Sequence, residues 1–419
     1  MRAVTLAKRL LSLQRLSVKG IKFEADVMGD TGLVVDVGVQ GHCRCSRCGG
    51  KCSRYDQLET RRWRHLDFGG WMVHLEAQLW RVDCPRCGVV VEQVSWADPK
   101  SRFTRAFEEL VAWQAQRCDK TAISAMLRIA WRTVGAIVER VVARRRQPID
   151  WTKVTAIGVD ELSFRKGHHY LTLVSDLDSG RILWSKEGRS SATLEAFFAE
   201  IGPEACARIQ HAAIDMCEAY AQAIGRLLPN ARLVYDRFHV QRLASAAVDE
   251  IRRAEWQRLR GTDEGKALKH LRWALLHNPW NATPAQHERL SVLPRQNMRI
   301  YRAYLLKEAL ADIYRRLYTV GFARRRLNEW LAWASRSQLE PFRKAARTIK
   351  RCFDGVLAYF VTGYTTSRAE GLNTKARLAT RQAYGFHSAD AVRAMIELRC
   401  TGLVIPLPHQ PRLPFAIPL

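Results

Sequence analysis

Between Val154 and Asp236 the chain changes character in an order that few folds accept. VTAIGVDEL, HYLTLVSDLDSG and RILWSKEG are three strand-like runs in immediate succession, with Asp178-Ser179-Gly180 as a turn between the last two. A helix over residues 192–201, a strand over 211–215, a helix over 219–228 and a strand over 232–236 follow. Strands joined by tight turns pair antiparallel, whereas strands separated by a helix return parallel through a right-handed crossover. The order β-β-β-α-β-α-β therefore predicts a single sheet built from an antiparallel meander and parallel crossover units.

That sheet decides which acids can meet. Asp160 is expected to end the first strand and Asp215 the fourth. Those two strands should lie side by side and parallel, which brings both carboxylates to one edge. Asp176 closes the second, antiparallel strand and is expected at the opposite edge, while His168 and His169 in the first hairpin are expected at the surface. Two neighbouring carboxylates repel and one tends to protonate, a penalty that divalent cations reverse. Magnesium, or manganese, suits a site of a few carboxylates because it keeps waters and substrate phosphate as further ligands. Phosphodiester chemistry uses two such ions about 4 Å apart, so a third acid should come from a helix packed on the same edge. The topology is the ribonuclease H-like plan.

Six of the eleven cysteines fall in the first 87 residues, a clustering that points to metal in a reducing cytosol. Cys45-Ser-Arg-Cys48 and Cys84-Pro-Arg-Cys87 are two knuckles, each able to wrap one side of a tetrahedral ion, and together they predict one structural zinc. Cys43 and Cys52 flank the first knuckle and leave open whether one of them replaces an assigned ligand. Strand-like runs surround the knuckles at IKFEADV, TGLVVDVGV and WMVHLEAQLWRVDC. Residues 105–117, 120–127 and 131–145 then read as three helices with a tight turn before the last, the spacing of a helix-turn-helix. Arg128, Trp131, Arg132 and Thr133 lie where such a motif meets base edges, and Arg140 lies further along the same helix.

Charge supports a polyanionic partner. The chain carries 67 Lys and Arg against 41 Asp and Glu, a net +26, and neutralised phosphates release condensed counterions. Residues 237–360 read almost entirely as helix and hold 25 Lys and Arg against 11 Asp and Glu, more than half of that excess. Arg324, Arg325 and Arg326 in this block are expected on phosphates. There is no uninterrupted apolar run of 18 residues, and Lys8, Arg9 and Arg15 break the N-terminal stretch, so neither a membrane span nor an export signal is expected. The chain is therefore expected in the cytosol.

The stretch SRAEGLNTKARLATRQAYGFHSADAVRAMI, with Thr366 or Ser367 able to cap a helix through Lys375 and Arg377, resembles the region around the catalytic glutamate of DDE transposases of bacterial insertion sequences, in particular the ISL-three group. IGVDELSFRKGHHYLTLVSDLDSG, AAIDMCEAYAQAI and DRFHV are similar to strands of the same family, as are the cysteine module, the helix-turn-helix and the helical block. The resemblance implies Asp160, Asp215 and Glu370 as catalytic triad and magnesium ligands. Asp236 and His239 resemble an Asp-x-x-His given an orienting role. Lys375, Arg377 and Arg381 on the glutamate helix are expected to touch DNA.

The expected fold is α/β, a ribonuclease H-like catalytic core with a large all-α insertion, preceded by a small β zinc-ribbon-like domain and a helix-turn-helix. The expected divisions are a zinc-binding domain at 1–98, the helix-turn-helix at 99–148, catalytic parts at 149–240 and 361–405 around an insertion at 241–360, and a tail at 406–419. The expected partners are double-stranded DNA, as terminal inverted repeats and target, and a second copy in an active homodimer. A non-catalytic DNA-binding regulator and a nuclease of the same fold are the competing functions.

Overall fold

The computed structural model describes residues 15–25, 31–165, 167–268, 270–315, 319–364, 367–382, 386 and 388–407, with isolated positions at 4, 5, 7, 11 and 13. Thr366 and residues 408–419 of the tail lie outside the described residues. The chain forms two compact units, residues 1–146 with 397–419 and residues 147–396.

In the first unit, β1 (Leu16–Ala25), β2 (Thr31–Val39), β4 (Met72–Cys84) and β3 (Ser53–Arg64) form a sheet in the order β1-β2-β4-β3, and β5 (Gly88–Val91) also pairs with β4. The alternation read in β4 is borne out: Val73, Leu75, Ala77 and Leu79 are buried and pack with Leu16, Val37, Trp63 and Trp96. β3 was not legible as a strand. Its sequence SRYDQLETRRWR is polar because it runs along an edge, exposed over most of its length, and only its last two residues, Trp63 and Arg64, are buried.

The three helices α1 (Arg105–Ala115), α2 (Lys120–Leu127) and α3 (Trp131–Arg145) follow. Thr104 caps α1 by accepting from the Phe107 N–H, and Asp119 caps α2 by accepting from Thr121 and Ala122. α2 and α3 meet at 103°, within the range of a helix-turn-helix. Arg128 ends α2 in the left-handed region at φ 53°. Glu108 of α1 is fully buried and held by Arg140 at 2.8 Å and Arg144 at 2.9 Å. Arg140 thus turns inward, because an unpaired buried carboxylate would be far costlier than a paired one. Residues 397–407 also belong to this unit, where Arg399 donates to the Ala115 and Cys118 carbonyls and Gln116 to those of Leu398 and Leu403.

In the second unit, β6 (Ala156–Arg165), β7 (His169–Asp176), β8 (Arg181–Glu187), β9 (His211–Ile214) and β10 (Arg232–Tyr235) lie in the order β10-β9-β6-β7-β8. β6 pairs antiparallel with β7 and parallel with β9, and β9 parallel with β10. The mixed sheet expected from the element order is what forms. Helices α4 (Ser191–Arg208, broken at Gly202) and α5 (Glu218–Leu227) contribute Phe197 and Tyr220 to a core with Ile157 and Val159. The other face packs Ala156, Ala213 and Val234 against Ala358. Burial on both faces explains the near-continuous apolar runs of these strands.

The helical block is α6 (Arg237–Arg258), α7 (Asp263–Leu268), α8 (Arg272–Leu276), α9 (Pro284–Gln296), α10 (Met298–Arg315), α11 (Val320–Arg336), α12 (Glu340–Arg351) and α13 (Phe353–Thr362). Gly355 of α13 sits where an added Cβ would come within 2.5 Å of the Tyr235 ring, so only glycine lets this helix lie so close to β10. Helices α14 (Ser367–Gln382) and α15 (Ala389–Cys400) complete the chain, and α14 packs on β6 and β8. Among the described residues no single helix is long and apolar enough to cross a membrane.

His65, just after β3, is buried, and its Nδ1 lies 2.9 Å from the Thr104 hydroxyl. Burial, then the charge of Arg64, pushes its pKa down to about 4. Because the unfolded chain binds the proton first, stability from this histidine is complete above about pH 6.5 and is lost as pH falls through about 4. The first unit should weaken by roughly 2–3 kcal/mol across that window, and His65→Gln should flatten the dependence in denaturant melts at pH 7, 5.5 and 4. An equal slope in both proteins would assign the effect elsewhere.

Candidate active site and nucleic-acid interface

Parallel pairing between β6 and β9 runs from Ala156 opposite His211 to Gly158 opposite Ala213. Asp215 follows β9 directly, as expected. Asp160 differs from expectation: it lies in mid-strand, because β6 continues to Arg165 on its pairing with β7. It nevertheless stands just past the last residue paired with β9, where the two strands part. Side chains alternate along a strand, so Asp160 shares a face with Ala156 and Asp215 with Ala213, the face covered by Ala358. The two acids interact: burial pushes the Asp160 carboxyl above its ordinary range, the Glu161 N–H pulls it back, Asp215 pushes it up, and His239 and Arg377 pull it down. The Glu161 N–H donates to Asp160 Oδ1 at 2.6 Å. Oδ1 of Asp215 is buried with no hydrogen-bond partner.

Asp236 is fully buried, and its N–H donates to the Ile214 carbonyl at 3.1 Å, which sets it level with Asp215. Its charge, after burial and Tyr359, helps raise the phenol of Tyr314 in α10. His239, in the first turn of α6, is the member of the pair whose charge reaches Asp160. Glu370 lies on α14, and seven residues on, two helical turns along the same stripe, comes Arg377, whose charge reaches Asp160. The Glu370 side chain lies outside the described residues. Lys375, Arg377 and Arg381 are exposed on this helix.

Glu161 was not foreseen. Burial raises its carboxyl, a hydrogen bond from Tyr220 lowers it, and Asp215 raises it again. The Tyr220 hydroxyl in turn lies 3.1 Å from Thr172 Oγ1. The signal was its adjacency to Asp160, which alternation argued against. Asp176 accepts from the Asp178 N–H and the Ser179 hydroxyl and so holds the turn after β7. His168 and His169 are exposed.

In the first unit the thiols of Cys45, Cys48, Cys84 and Cys87 gather with their sulfurs within 4.8 Å of one another. Cys45 Sγ accepts from the N–H groups of Arg47 and Cys48, and the Arg86 N–H draws the Cys84 thiol down to about 6. Such N–H groups favour thiolate, the form that binds metal, so the cluster fits a tetrahedral ion such as zinc. Cys43 and Cys52 stand outside the group of four, although Cys52 is close enough to feel the charges of Cys84 and Cys45. The Cys52 thiol donates to the Gly50 carbonyl.

Of the residues expected on DNA, Arg132 is exposed and Thr133 half-buried at the start of α3. Lys120 lies over the Trp131 ring at 4.4 Å. Arg128 is held by Asp67 at 2.7 Å and by the Gly70 carbonyl at 3.3 Å, so its guanidinium is at least partly committed within the protein. In the helical block Arg325 and Arg326 share Glu329, and Arg324 lies over the Phe353 ring.

Residues 157–396 match the profile of a DDE transposase family, described as transposase, and residues 92–142 match the helix-turn-helix domain of transposase family ISL3. The chain belongs to this family. It is 38% identical, over 99% of its own length and 98% of the relative's, to the transposase for insertion sequence element IS1557 of Mycobacterium tuberculosis. It is 31% identical, over 83% of its length and 86% of the relative's, to the transposase for insertion sequence element IS1001 of Bordetella parapertussis. This transposase is accordingly an enzyme of DNA cleavage and strand transfer, and its helix-turn-helix implies DNA binding.

The pairing of Asp160 with Asp215 predicts a site that weakens its own fold when free of cations. In chelator at pH 7, Asp215→Asn should raise the melting temperature of the transposase by roughly 2–4 °C, the shift that about 1 kcal/mol of relieved repulsion gives in a unit of this size. A lower melting temperature would mean that the carboxylates do not oppose each other.

Proposed function

We propose that Asp160, Asp215 and Glu370 are the catalytic triad of this transposase and hold two divalent ions, magnesium or manganese, in a ribonuclease H-like core. The core comprises residues 149–240 and, of the expected second part 361–405, those up to 396, around the insertion at 241–360. The observation that carries this reading is the buried Asp215 Oδ1, an acceptor with no hydrogen-bond partner whose carboxylate charge reaches Asp160, an arrangement that a cation satisfies. Asp160, Asp215 and Glu370 would hold these ions, which would supply charge stabilisation for the attacking and leaving oxygens of an in-line phosphodiester displacement. His239 orients Asp160 and offsets its charge, with Asp236 supporting the start of α6. Arg377, Lys375 and Arg381 meet the phosphates that approach this edge.

DNA recognition divides between two regions. Arg132 and Thr133, with Arg128 and Trp131 at the turn, read the base edges of the terminal inverted repeats. Arg324, Arg325 and Arg326 grip phosphates without regard to sequence. The four thiols hold one structural zinc that stabilises the module before the helix-turn-helix. The active complex is a homodimer that joins transposon ends to target DNA at the bacterial nucleoid.

Asp160→Asn, Asp215→Asn and Glu370→Gln should each lower cleavage of labelled end DNA by roughly 10³-fold or more, the value of several kcal/mol of transition-state charge stabilisation, with end binding retained. Joined products from the unaltered protein support strand transfer, whereas cleavage without joining would make it a nuclease. Cys84→Ser should release about one zinc per chain and impair end recognition; a purified unaltered chain without zinc would refute the assignment. Arg132→Ala should relax discrimination by roughly 1–3 kcal/mol. Arg324→Ala should weaken binding to all sequences and lower the salt slope by about 1. Loss of specificity in the latter alone would reverse the division.

A further inference from the structure

A hairpin tip beside the helix-turn-helix carries exposed aromatic surface that neither the catalytic nor the metal site uses. Phe68 and Trp71 exchange backbone hydrogen bonds, both at 3.1 Å, across Gly69 and Gly70. Gly69 adopts φ +59°, and a Cβ built on either glycine would meet nothing within 4 Å. The loop is therefore a narrow projection with no side chains at its apex. Phe68 is 55% exposed and Trp71 42%. Trp71 meets Phe23, itself 63% exposed, edge-on at 4.9 Å. Apolar surface so displayed marks a contact.

The projection is fastened to the DNA-reading motif at three points. Asp67, at its base, binds both Arg64 and Arg128, the latter at 2.7 Å, and the Gly70 carbonyl accepts from Arg128 at 3.3 Å. Arg64 is buried with its guanidinium over the Phe107 ring of α1, and its carbonyl accepts from the Thr104 N–H. His65 meets the Thr104 hydroxyl that caps the same helix. Arg128 is the residue that turns α2 into α3, so the tip is held at the entrance to the reading helix.

We propose that the Phe68–Trp71 tip enters the minor groove of the transposon end next to the major-groove segment read by α3, with the aromatic rings as an apolar wedge against sugars and base edges. Minor-groove proteins use such wedges to open or kink base steps. The two glycines let the backbone come close, and the partly exposed Arg128 keeps a cation at the base of the projection. The surrounding motif is cationic and the partner anionic, which favours DNA over a protein as occupant. The proposal rests on α3 as the reading helix.

The test is a hydroxyl-radical footprint and binding isotherm of the full-length protein on end DNA. The unaltered protein should protect the half-site and one adjacent minor-groove segment. Phe68→Ala with Trp71→Ala should lose the adjacent protection and bind ~10-fold more weakly, about 1.4 kcal/mol, while preference for the half-site, bound metal and melting temperature stay unchanged. The single Phe68→Ala, at a largely exposed position, should shift affinity in the same direction. An unchanged footprint and affinity in the double variant would overturn the proposal. So would loss of self-association with the footprint intact, which would make the tip an interface between copies. Arg132→Ala separates the two readings: if it leaves half-site protection intact, the assignment of α3 fails, whereas loss of that protection together with an intact footprint in the tip variant refutes the tip alone.

Discussion

Three rungs of parallel pairing between β6 and β9, from Ala156 to Gly158, govern the geometry of the catalytic unit. They align two strands so that each delivers an acid on the same face where the ladder ends, and β10 adds Asp236 one strand further out. A slip of one residue would send Asp160 to the opposite face and leave Glu161 in its position. Both faces of these strands are buried, which fixes the register against that slip. The helices then close over the edge, with α6 bringing His239 and α14 bringing Arg377 toward Asp160.

Sequence patterns gave the catalytic unit well because its constraints are local. Tight turns and intervening helices dictate strand direction, and direction dictates which acids share an edge. The knuckles are legible for the same reason, since two short loops suffice to gather four thiols. What escaped the sequence depends on partners distant in the chain. β3 hid because an edge strand exposed along most of its length has no apolar alternation. Asp160 reads as a strand end, but the meander partner β7 extends β6 for five more residues. Arg140, on the helix expected to meet DNA, is held by Glu108, 32 residues earlier. Glu161 gains its place from Tyr220 on a helix beyond the fourth strand.

The first unit solves a different problem, which is to hold small elements rigidly. Its sheet packs a modest core, and buried charge supplements it: Glu108 with Arg140 and Arg144, and Arg64 between Asp67 and the Phe107 ring. Such pairs add little net stability but punish any arrangement that separates them. They therefore tie β3 to α1 and α1 to α3.

In the proposed function the converging carboxylates hold two cations. Electron paramagnetic resonance of manganese bound to the full-length protein on cleaved end DNA tests it most directly. Two ions per active site, coupled at about 4 Å, are expected, with the coupling abolished by Asp215→Asn. A single uncoupled ion, or coupling that survives Asp215→Asn, would contradict it.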